Sequence, residues 1–421
     1  MAKEHYDLIV IGGGLSEQIA ATLVAGQGYR VLAFPAAVQT DEQTMACCPS
    51  LDKLLKSLKG DHLLKESTDS VQLVTDDIRL QVGGPLPLAD ELRREFPDHH
   101  ASMLALLTRL DDWGRKLSLL LTSPAPVSSL LALRRMALYR RQLSHKLPAR
   151  RLQQPILKML TTLGAPEPQQ ALSQLLSGLC LVTPEKLSGA EVALKWHITN
   201  RPRNILIPEL VQLLTDRYAA VGGQNIPQDD LAGIKQTGKR LDCVTLHNGK
   251  VFSARQFLIG PLPESVDFNP ALASTLFKPP CKPQRWILSG LPLQRPPMLD
   301  RKVILAGKQT VTLTWDQQSS SQGQALLEGV RAADQHMLST ETVRHQLKSL
   351  LPFTDFKLTE TECPPDEMCM NKSFWPRGAL PRPAASKVLF CHAAYLLPSL
   401  GVSADAILGQ AAAGALQKRL I

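Results

Sequence analysis

The sequence lacks several features that mark membrane-spanning, secreted and metal-binding proteins. None of its eight cysteines belongs to a C-x-x-C pair, and no histidines stand at a metal-ligand spacing beside them. We therefore expect reduced, mostly buried thiols and no metal site. No run of uncharged apolar residues approaches the ~18 needed to cross a bilayer, and the N-terminus shows no signal-peptide pattern. Together these absences predict a cytoplasmic protein.

Familiar catalytic motifs are missing as well. The sequence contains no G-x-S-x-G nucleophile turn, no H-E-x-x-H zinc motif and no phosphate-binding P-loop. The paired acids Asp111 and Asp112 fall in a helical region and are interpreted as surface polar residues. Trp196 is interpreted as a packed core residue, although it and His197 are also candidates to line a central cavity. The catalytic residues, if any, are therefore unknown at this point.

A glycine-rich turn near the start of the chain is the most informative stretch. An apolar strand ending at Ile11 leads into Gly12 and Gly14, and a helix with an apolar stripe then runs to about residue 26. A second strand follows at Tyr29–Phe34. This order of strand, G-x-G turn, helix and strand is typical of a dinucleotide-binding unit, whose turn and helix N-terminus receive a diphosphate.

Glu17 replaces the third glycine of this fingerprint. Glycine in that slot normally lets the helix pack closely on the strand. A carboxylate there would meet the loop amides itself, and two unit charges about 5 Å apart at an effective dielectric near 20 repel by roughly 3 kcal/mol. That repulsion corresponds to about a hundredfold in affinity. Alternatively, the acid stabilises its own helix dipole by about 0.3–1 kcal/mol and the cofactor is accommodated nearby.

Three stretches give the chain a resemblance to a known superfamily. The first is Asp7–Phe34, and the second runs from Gly189 through the helix near Pro208 to Ile259-Gly260. The third comprises residues 389–392, residues 398–402 and a final helix rich in alanine. With these stretches the chain resembles the FAD-binding superfamily of amine oxidases and phytoene desaturases. The resemblance implies that Cys391 and His392 lie where a Gly-Asp pair of the family's closing motif binds the ribityl–phosphate part of FAD. It also implies that Gly401 and Val402, at the start of the last helix, face the flavin ring.

The chain departs from that superfamily at three expected flavin contacts. Glu17 replaces a glycine, Pro35 stands where an acid normally holds the adenosine ribose, and His392 replaces the closing aspartate. The run 14–17 also resembles the corresponding turn of the Rab GDP dissociation inhibitors, which keep the fold without using a flavin. We therefore expect a degenerate site that binds no FAD or binds it weakly. Its predicted residues are Gly12, Gly14, Glu17, Ala21, Pro35, His392, Gly401 and Val402.

The element order predicts an α/β fold, a Rossmann-like FAD/NAD(P)-binding domain of the glutathione reductase and amine oxidase type with an interleaved α+β substrate domain. The Rossmann-like domain is assigned to residues 1–85, 200–265 and 386–421, and the substrate or partner domain, with a helical insert, to residues 86–199 and 266–385. Asn248-Gly249 between two alternating apolar runs predicts a β-hairpin. Helices are predicted from Asn204 to Val221 and from Ala325 to His336.

The chain has a net charge of +9, and its positive charge is concentrated in the stretch from residue 134 to residue 151. Its seven cations, with no acid between them, are Arg134, Arg135, Arg140, Arg141, Lys146, Arg150 and Arg151. Three interpretations stay open, namely a solvated helix face, docking to an anionic membrane surface, and contact with an acidic partner protein. The membrane interpretation involves Arg134, Arg135, Arg140 and Arg141 and places the protein peripherally at the inner membrane face. Nucleic acid is not expected, because no recognised motif accompanies the charge.

Two functions are compatible with these observations. The first expectation is a non-catalytic binder that holds an apolar, isoprenoid-like ligand or a partner protein in the interdomain cavity. The alternative is an active FAD-dependent oxidoreductase or desaturase that acts on a hydrophobic substrate. In flavin enzymes the cofactor carries the chemistry, so the absence of a recognisable catalytic base does not decide between them.

Overall fold

The computed structural model describes residues 4–35, 44–67, 70–122, 140–201, 203–237, 240–260, 284–291, 299–306, 310–315, 324–329, 339–351, 354–361, 382–385, 387–391 and 400–421. Its strands are β1 (Glu4–Ile11), β2 (Val31–Phe34), β3 (Thr44–Ala46), β4 (Lys65–Glu66), β5 (Val71–Val74), β6 (Arg79–Val82), β7 (Arg203–Leu206), β8 (Gln224–Asn225), β9 (Leu231–Thr237), β10 (Arg240–Leu246), β11 (Val251–Ile259), β12 (Gln284–Ser289), β13 (Lys302–Ala306), β14 (Thr310–Thr314), β15 (Gln324–Gly329), β16 (Lys357–Thr361), β17 (Arg382–Ala385) and β18 (Val388–Phe390). Its helices are α1 (Leu15–Ala25), α2 (Pro49–Leu58), α3 (Leu88–Glu95), α4 (His100–Thr122), α5 (Ala149–Gln153), α6 (Leu157–Leu160), α7 (Pro166–Cys180), α8 (Gly189–Thr199), α9 (Ile207–Ala220), α10 (Thr340–Leu350) and α11 (Ser403–Leu420).

The first sheet is built around β1. Its strands lie in the order β17-β18-β11-β1-β2-β8, and the pairs from β18 to β8 are parallel. Leu8 and Val10 of β1 belong to the large helical core, whereas Ile9 and Ile11 belong to a second core on the opposite face. Both faces of the parallel sheet are therefore covered, as its continuous apolar strands require. The carboxyl ends of β1 and β11 meet beside the glycine turn.

Three helices pack together over one face of this sheet, with α1 between α11 and α9. The contact between α1 and α11 is close, since a Cβ atom placed on Gly409 would lie 2.7 Å from Ile19 and 2.8 Å from the carbonyl oxygen of Ser16. The small residues of the final helix thus serve helix packing. They bring the start of α11 to the start of α1.

The second sheet follows the order β16-β12-β15-β14-β13-β5-β6. One face carries a core that includes Trp286, Leu313 and Leu327 and is covered by residues of α10. The opposite face packs on α7, where Gly178 lies against Ile304. Because β5 pairs in parallel with β13, residues 71–74 belong to this second sheet. The domain boundaries stay a prediction.

The hairpin prediction is confirmed, because β10 and β11 are antiparallel and the amide of Gly249 donates to the carbonyl of Leu246 at 2.9 Å. The helix predicted from Ala325 to His336 is wrong over its first half, where β15 pairs with β12 and β14. Its second half lies outside the described residues. Among the described helices, none is both long and apolar enough to span a bilayer.

Candidate cofactor site

The glycine turn sits directly against the end of the neighbouring parallel strand. Gly12 has φ +139°, a conformation that L side chains rarely adopt. A Cβ atom there would lie 3.0 Å from Cα and 3.1 Å from N of Gly260, the residue after β11. The amide of Gly260 in turn donates to the carbonyl of Ile11 at 2.7 Å. Gly12 is therefore required by the close approach of the two chain segments.

The amides of the next two residues have no acceptor among the described residues. Gly13 and Gly14 are both half-buried, and Gly14 is the extended residue at which α1 begins. Among the described residues, none accepts a hydrogen bond from either amide. Exposed amides at the start of a helix that follows a buried strand bind anions, because the helix dipole adds to their donor capacity. The turn therefore has the donors that a diphosphate needs.

Glu17 points away from that open side. Its side chain is fully buried, and its Oε2 accepts a hydrogen bond from the Ser16 hydroxyl at 2.8 Å. Its Oε1 lies 2.0 Å from the position that a Cβ atom on Gly260 would take. The carboxylate thus fills the space above Gly260, the glycine that follows β11. Sequence patterns do not indicate this direction, since it depends on the absence of a side chain at Gly260.

A second acid reaches the start of α1 from the last helix. Asp405 Oδ1 accepts a hydrogen bond from the Ser16 amide at 3.0 Å, so this helical donor is already satisfied. Cys391 lies beside both acids. Burial raises the pKa of its thiol well above the usual value, and the charges of Glu17 and Asp405 raise it further. The thiol is accordingly held protonated, and its Sγ lies 3.6 Å from the carbonyl oxygen of Leu408.

The remaining predicted site residues lie within or directly beside α1, β2 and α11. Ala21 is buried in α1, Pro35 is half-buried directly after β2, and Gly401 and Val402 immediately precede α11. Gly401 has φ +57°, which suits the turn into the helix. His392 lies outside the described residues. The role of each residue in binding a cofactor stays a prediction.

A polar cluster that the sequence did not indicate lies between α4 and α8. His197 Nδ1 and the Arg201 guanidinium each lie 3.0 Å from Asp111 Oδ1. Burial lowers the pKa of His197, and the hydrogen bond to Asp111 only partly opposes that effect. Burial alone would raise the pKa of Asp111, but His197 and Arg201 outweigh it and hold the pKa below the usual value. Asp111 is therefore an ionised, partly exposed acid with two partners, and the interpretation from sequence as a surface polar residue did not include those partners.

The predicted membrane or partner residues are only partly visible. Arg134 and Arg135 lie outside the described residues. Arg140 is exposed, whereas Arg141 is half-buried and its Nη2 donates to the carbonyl of Leu120 at 2.6 Å. Burial lowers the pKa of Arg141. Arg141 therefore holds its segment against the end of α4, and Arg140 faces solvent.

Comparison with solved structures identifies the fold. Cyclohexylamine oxidase from Brevibacterium oxydans matches with a TM-score of 0.56 and 16% identity, covering 99% of both chains. Putrescine oxidase bound to putrescine matches with a TM-score of 0.57 and 12% identity over 98% of this chain and 99% of that one. The chain has the fold of the FAD-binding amine oxidases. An oxidoreductase from Methanosarcina mazei is similar too, with a TM-score of 0.51, 11% identity and coverage of 94% and 98%. Neither a family model nor a curated protein matches the sequence.

These matches confirm the predicted superfamily resemblance and the Rossmann-like fold class. They contradict the prediction that the chain binds no FAD or binds it weakly, because the structures similar over its whole length are FAD-dependent oxidases. The physical error lay in the assumed direction of Glu17. Its charge was placed against the diphosphate, whereas the structure buries the carboxylate over Gly260. The amides of Gly13 and Gly14, which have no described acceptor, fit an anionic cofactor.

Proposed function

We propose that this protein is an FAD-dependent oxidoreductase that acts on a hydrophobic substrate. The observation that carries the proposal is the pair of amides at Gly13 and Gly14 to which no described residue accepts a hydrogen bond, in a chain whose fold matches amine oxidases from end to end. When bound, the flavin would supply the hydride acceptor. Since the similar structures are oxidases, this catalytic alternative is preferred to the non-catalytic binder of an apolar ligand or partner protein.

In this proposal backbone amides, rather than charged side chains, bind the diphosphate. Gly12 keeps the turn tight against Gly260, and the amides of Gly13 and Gly14 donate to the phosphate oxygens. Asp405 caps the Ser16 amide and so fixes the start of α1. Pro35 has no side-chain acceptor for a ribose hydroxyl.

The proposed substrate class rests on different observations from the proposed cofactor. Cyclohexylamine oxidase and putrescine oxidase are named for amine substrates, and that describes those proteins. The expectation of a hydrophobic substrate for this chain comes from the resemblance to the desaturases. It is tested by mixing the flavin-loaded protein anaerobically with hydrophobic amines and with isoprenoids. Loss of the oxidised-flavin absorption would identify a substrate, whereas a spectrum that no candidate changes would count against the proposed reaction.

The cofactor test uses the purified full-length protein. Its visible spectrum should show bound flavin, and heat denaturation should release FAD that chromatography identifies. Gly14→Asp and Gly14→Asn form a matched pair, because both add a similar side chain at the open turn and only the first adds charge. The aspartate variant should bind FAD about a hundredfold more weakly than the asparagine variant, by the repulsion of roughly 3 kcal/mol between nearby charges. A protein that neither carries FAD nor takes it up when supplied would overturn the proposal.

A further inference from the structure

We infer that one basic surface of this protein docks onto an anionic phospholipid bilayer. The basic surface consists of exposed leucines and cations at the end of α4, in the segment that leads into α5 and in the first turn of α5, namely Leu119, Arg140, Leu143, Lys146, Arg150 and Arg151. The inference goes beyond the proposed oxidoreductase activity. It does not require the flavin to be bound.

The charge of the chain is segregated into the stretch that contains this surface. Residues 113–166 include ten lysines and arginines and not one aspartate or glutamate. The net charge of the whole chain is +9, so the stretch accounts for the entire excess. These cations together attract anionic surfaces, and they repel one another when no anion is near.

Several exposed cations elsewhere on the protein form ion pairs with acids. Exposed Lys56, Lys65 and Arg93 each lie within 2.9 Å of a carboxylate oxygen. The basic surface has four exposed cations, which are Arg140, Lys146, Arg150 and Arg151. They form no ion pair with any described residue. Because no described acid pairs with them, their charge is available to an external partner.

Aliphatic exposure on the same surface favours a bilayer over an acidic protein. Leu143 is 54% exposed and Leu119 is 39% exposed, which places both among the few large exposed apolar residues of the described chain. Arg141 holds the segment of Leu143 against the end of α4 through the carbonyl of Leu120. An acidic protein would need an apolar pocket matched to these leucines as well as acids matched to the cations. A bilayer accepts leucines at its acyl boundary and arginines among its phosphates without needing a matched pocket.

Flotation of the full chain with vesicles tests the inference. Vesicles of phosphatidylcholine alone are compared with vesicles that also contain phosphatidylserine. A variant with Arg140, Lys146, Arg150 and Arg151 changed to glutamine is compared with a control that carries Lys56→Gln, Lys65→Gln, Arg93→Gln and Arg255→Gln. The two variants lose the same net charge, but the control loses cations that have acidic partners.

The wild type should float with the anionic vesicles only, and high salt should release it because screening shortens the range of the attraction. Each cation near an anionic surface is worth roughly fivefold in partitioning, so the basic-surface variant should bind several hundredfold more weakly than wild type while the control stays close to it. Leu143→Ser, which keeps every charge, should weaken binding several-fold.

Three results would overturn the inference. Equal flotation on neutral and anionic vesicles would remove the electrostatic argument. Equal loss in the two quadruple variants would assign binding to net charge and not to this surface. No flotation at all would leave an acidic protein as the partner of the basic surface. None of these results bears on flavin content, which the absorption spectrum of the same samples reports separately.

Discussion

Replacing Gly260 by alanine should be destabilising only while Glu17 keeps its long side chain. The new Cβ atom would lie 2.0 Å from Oε1 and 2.9 Å from Cδ of Glu17. Ordinary contact begins near 3.4 Å, so the carboxylate has to retreat by more than an ångström. Because Glu17 is fully buried, that retreat repacks its surroundings, and overpacking of this kind costs about 1–3 kcal/mol. Urea unfolding monitored by circular dichroism measures the loss.

The same substitution in a Glu17→Ala background should cost close to nothing, because the clashing atoms are gone. The coupling free energy between the two positions is then about 1–3 kcal/mol. Glu17→Gln is the control, since it keeps the volume and removes the charge, and Gly260→Ala should remain costly beside it. Effects that add within about 0.5 kcal/mol would refute the placement of the carboxylate over Gly260. Glu17→Gln should also leave FAD affinity within a few-fold of wild type, whereas direct repulsion of the diphosphate predicts a gain of about a hundredfold.

Two further predictions concern the crossing of α4 and α8. Gly114→Ala should lower the free energy of unfolding by about 1–3 kcal/mol despite the better helix propensity of alanine, because its Cβ would lie 2.0 Å from the rigid carbonyl oxygen of Ala193; unchanged urea unfolding would contradict this crossing. His197→Gln should flatten the stability profile below neutrality. The folded pKa of His197 lies below 6.5, so the unfolded chain binds an extra proton as pH falls through that value, and stability is lost there. Unfolding at about pH 8 and pH 5 should show the steeper loss in wild type.

Local sequence patterns predicted correctly the elements in which the propensity of the residues agrees with their packing in the fold. The Asn248-Gly249 hairpin and the strand, turn and helix around Gly12 follow this rule. Residues 324–329 do not, since alanine, leucine and glutamate favour a helix there. The segment nevertheless pairs on both sides as β15, which shows that cross-strand packing outweighs local preference. The helix predicted from Asn204 begins instead at Ile207, where Pro208 suits the first turn.

The Asp111 cluster was beyond the reach of sequence patterns for a different reason. Asp111 and His197 are 86 positions apart and meet only because α4 and α8 cross closely at Gly114. Periodicity identifies which face of a helix is buried, but it does not identify which two helices share that face. A glycine within a leucine-rich helix was the one available signal. It marks a close helix crossing without naming the partner.

The cofactor site shows the same limit on a finer scale. From the sequence, Glu17 is a charge at a helix start, and a charge at a diphosphate site implies repulsion. In the structure the effect of that charge depends on the direction of the end of the Glu17 side chain. Gly260, 243 positions away in the chain, has no side chain and so leaves room for the carboxylate to point into the protein. The effect of a substitution at a position of the glycine fingerprint on cofactor binding therefore depends on the residue that faces that position. Glutamate in the third glycine slot opposes a flavin when a side chain blocks its inward path, and it is compatible with one when the facing residue is glycine.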